Sequence, residues 1–186
     1  MKLIAYMGCS KSGKDYEAKK LLSTGKYIQM NMADSVKEIV YNQINYTPAN
    51  HDEYETLKET SFWNNEDRTF TGRDLIKNLT NEINKIDPNF WFEIWKKKIE
   101  QIVEDYKYYH KFEGIVVTDI RYIQSMKYFF GVENLTKKVF FCNYKSDRYK
   151  LHEDESEDLI RKIINDLDVD YITKPIDITN YCRDLI

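Results

Sequence analysis

The chain has 186 residues, 42% of them hydrophobic and 15% aromatic, which suffices for a folded core and is too apolar for a disordered chain. A formal net charge of −3 with no long basic block gives no electrostatic reason to expect binding of a nucleic-acid polymer, so an anionic ligand has to be held by a local set of Arg and Lys. Cys9, Cys142 and Cys182 are too scattered for a disulfide framework, no apolar run suits a signal peptide or a membrane span, and the histidines lack metal-ligand spacing. The expectation is a cytoplasmic protein with no membrane partner.

The first element is the apolar run from Lys2 to Met7, which reads as a strand. It leads into Gly8-Cys9-Ser10-Lys11-Ser12-Gly13-Lys14, the G-x-x-x-x-G-K spacing of a Walker A phosphate loop. Gly8 permits a sharp turn out of the strand, and Gly13 lets backbone N–H groups approach phosphate oxygens with no Cβ between. Those N–H groups, including the ones at Lys11 and Ser12, form an anion cradle with the N-terminus of the next helix, and Lys14 adds a mobile positive charge. Asp15 stands where the pattern usually has the Ser or Thr that touches Mg²⁺. The plain alternative is a Gly-containing strand-to-helix turn with an exposed lysine.

Ala18, Leu21 and Leu22 give the apolar face of a helix that ends at Ser23-Thr24-Gly25, and Tyr27–Met30 reads as a second strand. Ser35-Val36-Lys37-Glu38 resembles a capping box, followed by Val36, Ile39, Val40 and Ile44 at helical spacing. Residues 45–70 lack clean periodicity. They read as a surface connection or as a substrate-side flap (45–72), in which Phe62 and Trp63 are large to leave in water.

Thr71-Gly72-Arg73 opens a helix whose buried side is marked by Leu75, Ile76, Leu79, Ile83 and Ile86. Asp87-Pro88 signals a new helix start, and Phe92, Trp95, Ile99, Ile102 and Tyr106 form its core stripe. Trp91 falls off that stripe and is the better candidate to meet a ligand. Gly114–Thr118 is a continuous β-branched run that suits a buried parallel strand. It ends in Asp119-Ile120-Arg121, at the strand edge where ligands bind in open α/β sheets. Asp119 can hold Mg²⁺ through water or accept a hydrogen bond from substrate, and Arg121 can clamp phosphate; alternatively the two cap the next helix.

Ile123, Met126, Phe129 and Phe130 mark a short helix, and Lys138–Cys142 a further strand. Residues 143–157 are dense in charge and read as a solvated loop or as a lid, with Arg148 and Lys150 its phosphate contacts. Leu159, Ile160, Ile163, Ile164 and Leu167 form another helix, Asp170-Tyr171-Ile172 a last short strand, and residues 176–186 a closing helix. About five strands with flanking helices make one α/β domain over residues 1–186.

Several of these segments are similar, in order, to the P-loop deoxynucleoside monophosphate kinases of bacteriophages, with phosphomevalonate kinase as a relative of the same general build. They are Ser12-Gly13-Lys14-Asp15, Ala33-Asp34-Ser35-Val36-Lys37, Thr71–Ile76 running to Asp87-Pro88-Asn89-Phe90-Trp91, Val117-Thr118-Asp119-Ile120-Arg121, and His152–Glu157. The Asp after the loop lysine is typical of that group. The family's Gly-Thr-acid is Thr80-Asn81-Glu82 here, its second arginine is Lys85, and His152 and Ser156 are more widely spaced than in its lid motif.

The resemblance implies a three-layer P-loop nucleoside triphosphate hydrolase fold with a mostly parallel sheet, of the nucleoside monophosphate kinase type with a lid. It implies ATP as phosphoryl donor on Gly8, Lys11, Ser12, Gly13, Lys14 and Asp15, and Mg²⁺ near Asp15 and Asp119. A monophosphate acceptor would be held by Asp34, Lys37, Arg73, Glu82, Trp91, Asp119 and Arg121. Lys14, Asp119, Arg121 and Arg148 are the expected catalytic set. A phage-encoded enzyme of this kind acts in the host cytoplasm, and whether it pairs as a homodimer stays open. The rival expectations are a kinase for another small phosphorylated acceptor, such as phosphomevalonate, and a nucleotide-binding module with little transfer activity.

Overall fold

The structure, a computed structural model, describes residues 1–43, 53, 56, 57, 59–65, 68–109, 112–144, 158–169 and 171–186. The chain falls into two compact units, one formed by Met1–Met32 with Trp95–Ile186 and the other by Ala33–Ile94.

The first unit holds a five-stranded sheet flanked by helices, its strands in the order Tyr27–Gln29, Gly114–Val117, Lys2–Met7, Thr136–Phe141 and Ile176–Asp177. β1 (Lys2–Met7) pairs in parallel with β5 (Gly114–Val117) on one side and β6 (Thr136–Phe141) on the other, and β2 (Tyr27–Gln29) pairs in parallel with β5. β1 is thus central and covered on both faces, which is why it reads as a continuous apolar run rather than an alternating one. Leu3, Ala5, Met7, Ile115 and Val117 are fully buried on one face. On the other, Ile4, Tyr6 and Val116 pack with Ala18 of α1 (Lys14–Leu22) and with Cys142. That burial lifts the Tyr6 hydroxyl to a pKa of about 12 and the Cys142 thiol to about 12, so Cys142 stays a neutral filler.

α4 (Phe90–Tyr109) brings Trp95 and Ile99 into this core, and Trp95 Nε1 donates to Met30 O at 2.9 Å. α5 (Ile123–Gly131) contributes Met126 and Phe129, and α6 (Asp158–Leu167) contributes Ile160 and Ile163. Among the described residues, no helix is long and apolar enough to cross a membrane.

The end of the chain departs from expectation. No strand forms at Tyr171-Ile172; Ile172 N–H donates instead to Asn143 O. The last strand, β7, is Ile176–Asp177, antiparallel to Phe140–Phe141, and only Thr179–Asp184 is helical (α7). Pro175 has no N–H to give a ladder, so pairing begins one residue later. The Asp177 carboxylate accepts from Lys138 Nζ at 2.7 Å and from Thr179 N–H at 3.0 Å, and the Lys138 bond, then the Thr179 bond, hold its pKa at about 2. Because the folded pKa is depressed, this stabilisation is present above about pH 4 and is lost as pH falls toward 2. Asp177→Asn is expected to lower the melting temperature at neutral pH by about 2–4 °C, modest because the pair is exposed, and to change it much less near pH 2. Equal losses at both pH values would remove the carboxylate charge from the explanation.

The second unit contains α2 (Asp34–Gln43), β3 (Ser61–Asn65), β4 (Arg68–Thr71) and α3 (Gly72–Ile86). β3 and β4 form an antiparallel hairpin inside the stretch read as a connection or flap, where a register shift between Ser61 and Trp63 breaks the alternation that would have revealed it. Residues 44–52 of that stretch and the side chains of Phe62 and Trp63 lie outside the described set. Val40, Tyr41 and Leu57 make the unit's core, and Leu75, Ile76 and Leu79 of α3 pack on it. Thr71 caps α3 in a reciprocal box with Asp74, at 3.2 Å from Asp74 N–H to Thr71 Oγ1 and 2.9 Å from Thr71 N–H to Asp74 Oδ2.

Two expected core residues here are not core. Ile86 is 83% exposed, because α3 ends there and the chain turns at Asp87-Pro88; Ile39 is 42% exposed, the buried face of α2 running through Val36, Val40 and Tyr41. The Ser35 capping box is also displaced, since α2 begins at Asp34 and Ser35 is buried within its first turn.

Candidate functional site

Residues 8–13 leave the C-terminal end of the central strand and run into α1. Their backbone turns through three residues of positive φ, Gly8 (151°), Lys11 (62°) and Gly13 (93°). The left-handed conformation of Lys11, a non-glycine, is strained. Ser12 N–H donates back to Cys9 O at 3.3 Å, closing the loop on itself. A Cβ on Gly8 would stand 2.2 Å from both Cys142 O and Ser12 Oγ, and one on Gly13 would stand 2.2 Å from Tyr144 Cδ2. Gly8 is therefore required by space as well as by φ, whereas at Gly13 a side chain stands in the way of the added carbon. Ser12 Oγ is buried and, among the described residues, has no hydrogen-bond partner.

Lys14 is 7% exposed, with its Nζ 3.3 Å from Cys9 O and 3.2 Å from Asp15 Oδ2. The ammonium is folded back over the loop, with the half-exposed Asp15 carboxylate beside it. Concave N–H-bearing backbone, a helix N-terminus and a captive lysine make a site for an anion with several oxygens.

The exits of the neighbouring parallel strands reach the same sheet edge. Past β5, Asp119 Oδ1 accepts from Met32 N–H at 2.9 Å, so this acid ties the β5 exit to the β2 exit. Thr118 N–H and Oγ1 donate to Asn31 Oδ1 at 2.8 and 3.3 Å, and Gln29 Nε2 donates to Thr118 Oγ1 at 3.1 Å. At the start of α5, Ser125 Oγ accepts from Tyr122 N–H at 3.0 Å. Arg121 is half-buried.

Past β6, Tyr144 lies against the loop: its N–H donates to Ser12 O at 3.1 Å and its hydroxyl to Glu17 Oε1 at 2.7 Å. Lys20 Nζ reaches the same Glu17 oxygen at 2.6 Å. Burial pushes the Glu17 carboxyl up, but the hydrogen bonds from Lys20 and Tyr144 outweigh it and hold the group below its ordinary value. Burial, then the bond to Glu17, raises the Tyr144 hydroxyl and keeps it a neutral donor.

Of the acceptor-side candidates, Asp34, Lys37, Arg73, Glu82 and Trp91 belong to the second unit. Lys37 Nζ pairs with Asp34 Oδ1 at 3.1 Å, one turn apart at the start of α2. Arg73 pairs with Glu59, at 3.0 Å through Nε, both side chains largely exposed. Glu82 pairs with Lys85 on the exposed face of α3. Trp91 corrects the helix reading: it is 7% exposed and shares an i, i+4, i+8 line with Trp95 and Ile99, so the buried stripe runs through it. Its Nε1 is buried with no hydrogen-bond partner among the described residues. Arg148 and Lys150 lie outside the described residues, as does most of the proposed lid.

Among the described residues no three His, Cys, Asp or Glu side chains converge as metal ligands. Mg²⁺ in phosphate sites commonly takes only one or two carboxylates, with phosphate and water completing its shell. Asp15 fits that part, being partly exposed beside Lys14; Asp119 has one oxygen committed to Met32 N–H.

Tyr144 and Glu17 were not singled out from the sequence. Their signals were positional only: an aromatic just past a parallel strand, and a carboxylate in the first turn of the helix after the loop. Neither a scan of protein-family models nor a search of curated proteins returns a match to the chain.

Proposed function

We propose that the chain is an ATP-dependent kinase that transfers a γ-phosphoryl group to a (deoxy)nucleoside monophosphate, giving the diphosphate, on a P-loop fold of the nucleoside monophosphate kinase type. The observation that carries this reading is the loop itself, a positive-φ cradle between a central parallel strand and a helix, with Lys14 folded over it. Its likeness in sequence, Asp15 included, to the phage kinases turns an anion site into a donor site.

The attacking atom is already an anionic phosphate oxygen, so the protein needs no strong base; alignment and charge neutralisation do most of the catalysis. Loop N–H groups and Lys14 hold the donor's terminal phosphates. Mg²⁺, with Asp15 near it, supplies further neutralisation of phosphate charge when bound. Asp119, which ties the β2 exit to the β5 exit, is the acid we assign to the substrate side. Arg121 acts as a phosphate clamp at the β5 exit, and Arg73 offers the acceptor phosphate the fork geometry it now spends on Glu59. Arg73→Ala is expected to raise the acceptor's KM by about tenfold or more and to leave that of ATP nearly unchanged. Equal effects on both substrates would take Arg73 out of the acceptor site.

A coupled ADP-release assay across a panel of nucleoside monophosphates, with phosphomevalonate included, tests the function. Acceptor-dependent release with a nucleotide supports it. Release with phosphomevalonate alone moves the chain to the other acceptor class. ATP binding without release from any acceptor overturns the transfer reading in favour of a binding module.

A further inference from the structure

Tyr144 touches the phosphate loop in three ways that do not depend on one another. Its N–H donates to Ser12 O at 3.1 Å, its ring lies where a Cβ on Gly13 would sit, 2.2 Å from Cδ2, and its hydroxyl donates to Glu17 Oε1 at 2.7 Å. It thereby links the β6 exit to the loop backbone and to the first turn of α1. The loop needs such support. Strained positive-φ backbone persists only where its surroundings over-determine it, and the loop's own closing bond, Ser12 N–H to Cys9 O, is long at 3.3 Å. N–H groups that bind anions act without reorganisation only when they are held in place beforehand.

Glu17 supplies the second half of the device. A 7% exposed carboxylate in the turn that carries the anion site opposes the approach of phosphate unless its charge is engaged elsewhere. Lys20 and Tyr144 engage it at 2.6 and 2.7 Å, while the loop's own lysine pairs with Asp15.

We propose that Tyr144 is a positioning residue for the donor phosphates: with Glu17 it clamps residues 12–14 in the phosphate-binding conformation. This rests on reading the loop as a phosphate site. A tyrosine that merely fills space would contribute to stability and nothing else, and Tyr144→Phe separates the two because it keeps the ring and removes only the bond to Glu17.

The test combines three measurements on wild type, Tyr144→Phe, Glu17→Gln and the double variant. They are amide hydrogen exchange of residues 12–14 without ligand, calorimetric binding of ADP, and the KM of ATP set against kcat and against the acceptor's KM. The expected result for Tyr144→Phe is loop exchange faster by about tenfold, ADP affinity and ATP KM each weakened by about tenfold, and kcat and the acceptor's KM within about twofold. The double variant should lose less than the sum of the two single losses, since both variants alter the Tyr144–Glu17 bond, while Glu17→Gln also loses the ion pair with Lys20. Unchanged loop exchange and ADP affinity in Tyr144→Phe overturn the clamp. So do losses that track a lowered melting temperature and fall equally on both substrates. If wild type binds ADP but transfers to no acceptor, the kinase reading fails while exchange and ADP binding still decide the clamp; if it binds no ADP, both fail.

Discussion

Lys14→Ala is expected to abolish acceptor-dependent ADP release, lowering turnover by about a thousandfold or more, while the chain still folds. The ammonium is the cation folded directly over the loop, and nothing else on α1 is placed to take over: Lys19 and Lys20 lie in its last turn, and Lys20 is spent on Glu17. Fold loss should be small, because the two polar bonds of Lys14 are long, at 3.3 and 3.2 Å, and removing the side chain also removes a largely buried charge. Coupled kinetics and a thermal melt on the same preparation check both halves. Full activity in this variant would remove the loop from catalysis, and a collapsed melting temperature would assign Lys14 to stability.

Gly8→Ala is expected to fail differently, in the fold. The added methyl would meet Cys142 O at 2.2 Å, and that carbonyl belongs to backbone whose own N–H is bonded to Met7 O at 2.8 Å. The neighbour cannot swing aside without parting β6 from β1, and the residue would also hold a φ of 151° that side chains rarely adopt. A cost of about 3–5 kcal/mol follows, lowering the melting temperature by roughly 10 °C or leaving the protein insoluble. Gly13→Ala is the informative contrast. Its clash is with the Tyr144 ring, a side chain that can move, so fold loss should be smaller and damage to the loop larger. A Gly8→Ala variant that melts like wild type would mean that the β1 exit does not lie against β6 as described.

Much of the layout was legible because it follows from local rules. The apolar run of β1, the β-branched run of β5 and the helical spacing of α1, α3 and α6 each reflect one segment burying one or two faces. The βα alternation then implied the mostly parallel sheet that forms. The helix start at Thr71-Gly72-Arg73 was legible, and the box that fixes it pairs Thr71 with Asp74 within one turn. Where local signals compete, the reading failed: Ile176-Asp177-Ile178 fits a helix stripe as well as a strand, and the Ser61–Trp63 irregularity hides a hairpin.

The amino-acid order by itself determined the strand–loop–helix unit of residues 2–22, since two glycines and a lysine at that spacing constrain the backbone wherever it is placed. Only the tertiary structure decided what surrounds the loop. Tyr144 reaches Glu17 across 127 positions and Asp119 reaches Met32 across 87, because parallel pairing sets the exits of β1, β2, β5 and β6 along one edge. No periodicity records such pairs. Trp91 is different: it stands four residues before Trp95 and eight before Ile99, so the spacing held its burial and the stripe was read one residue off.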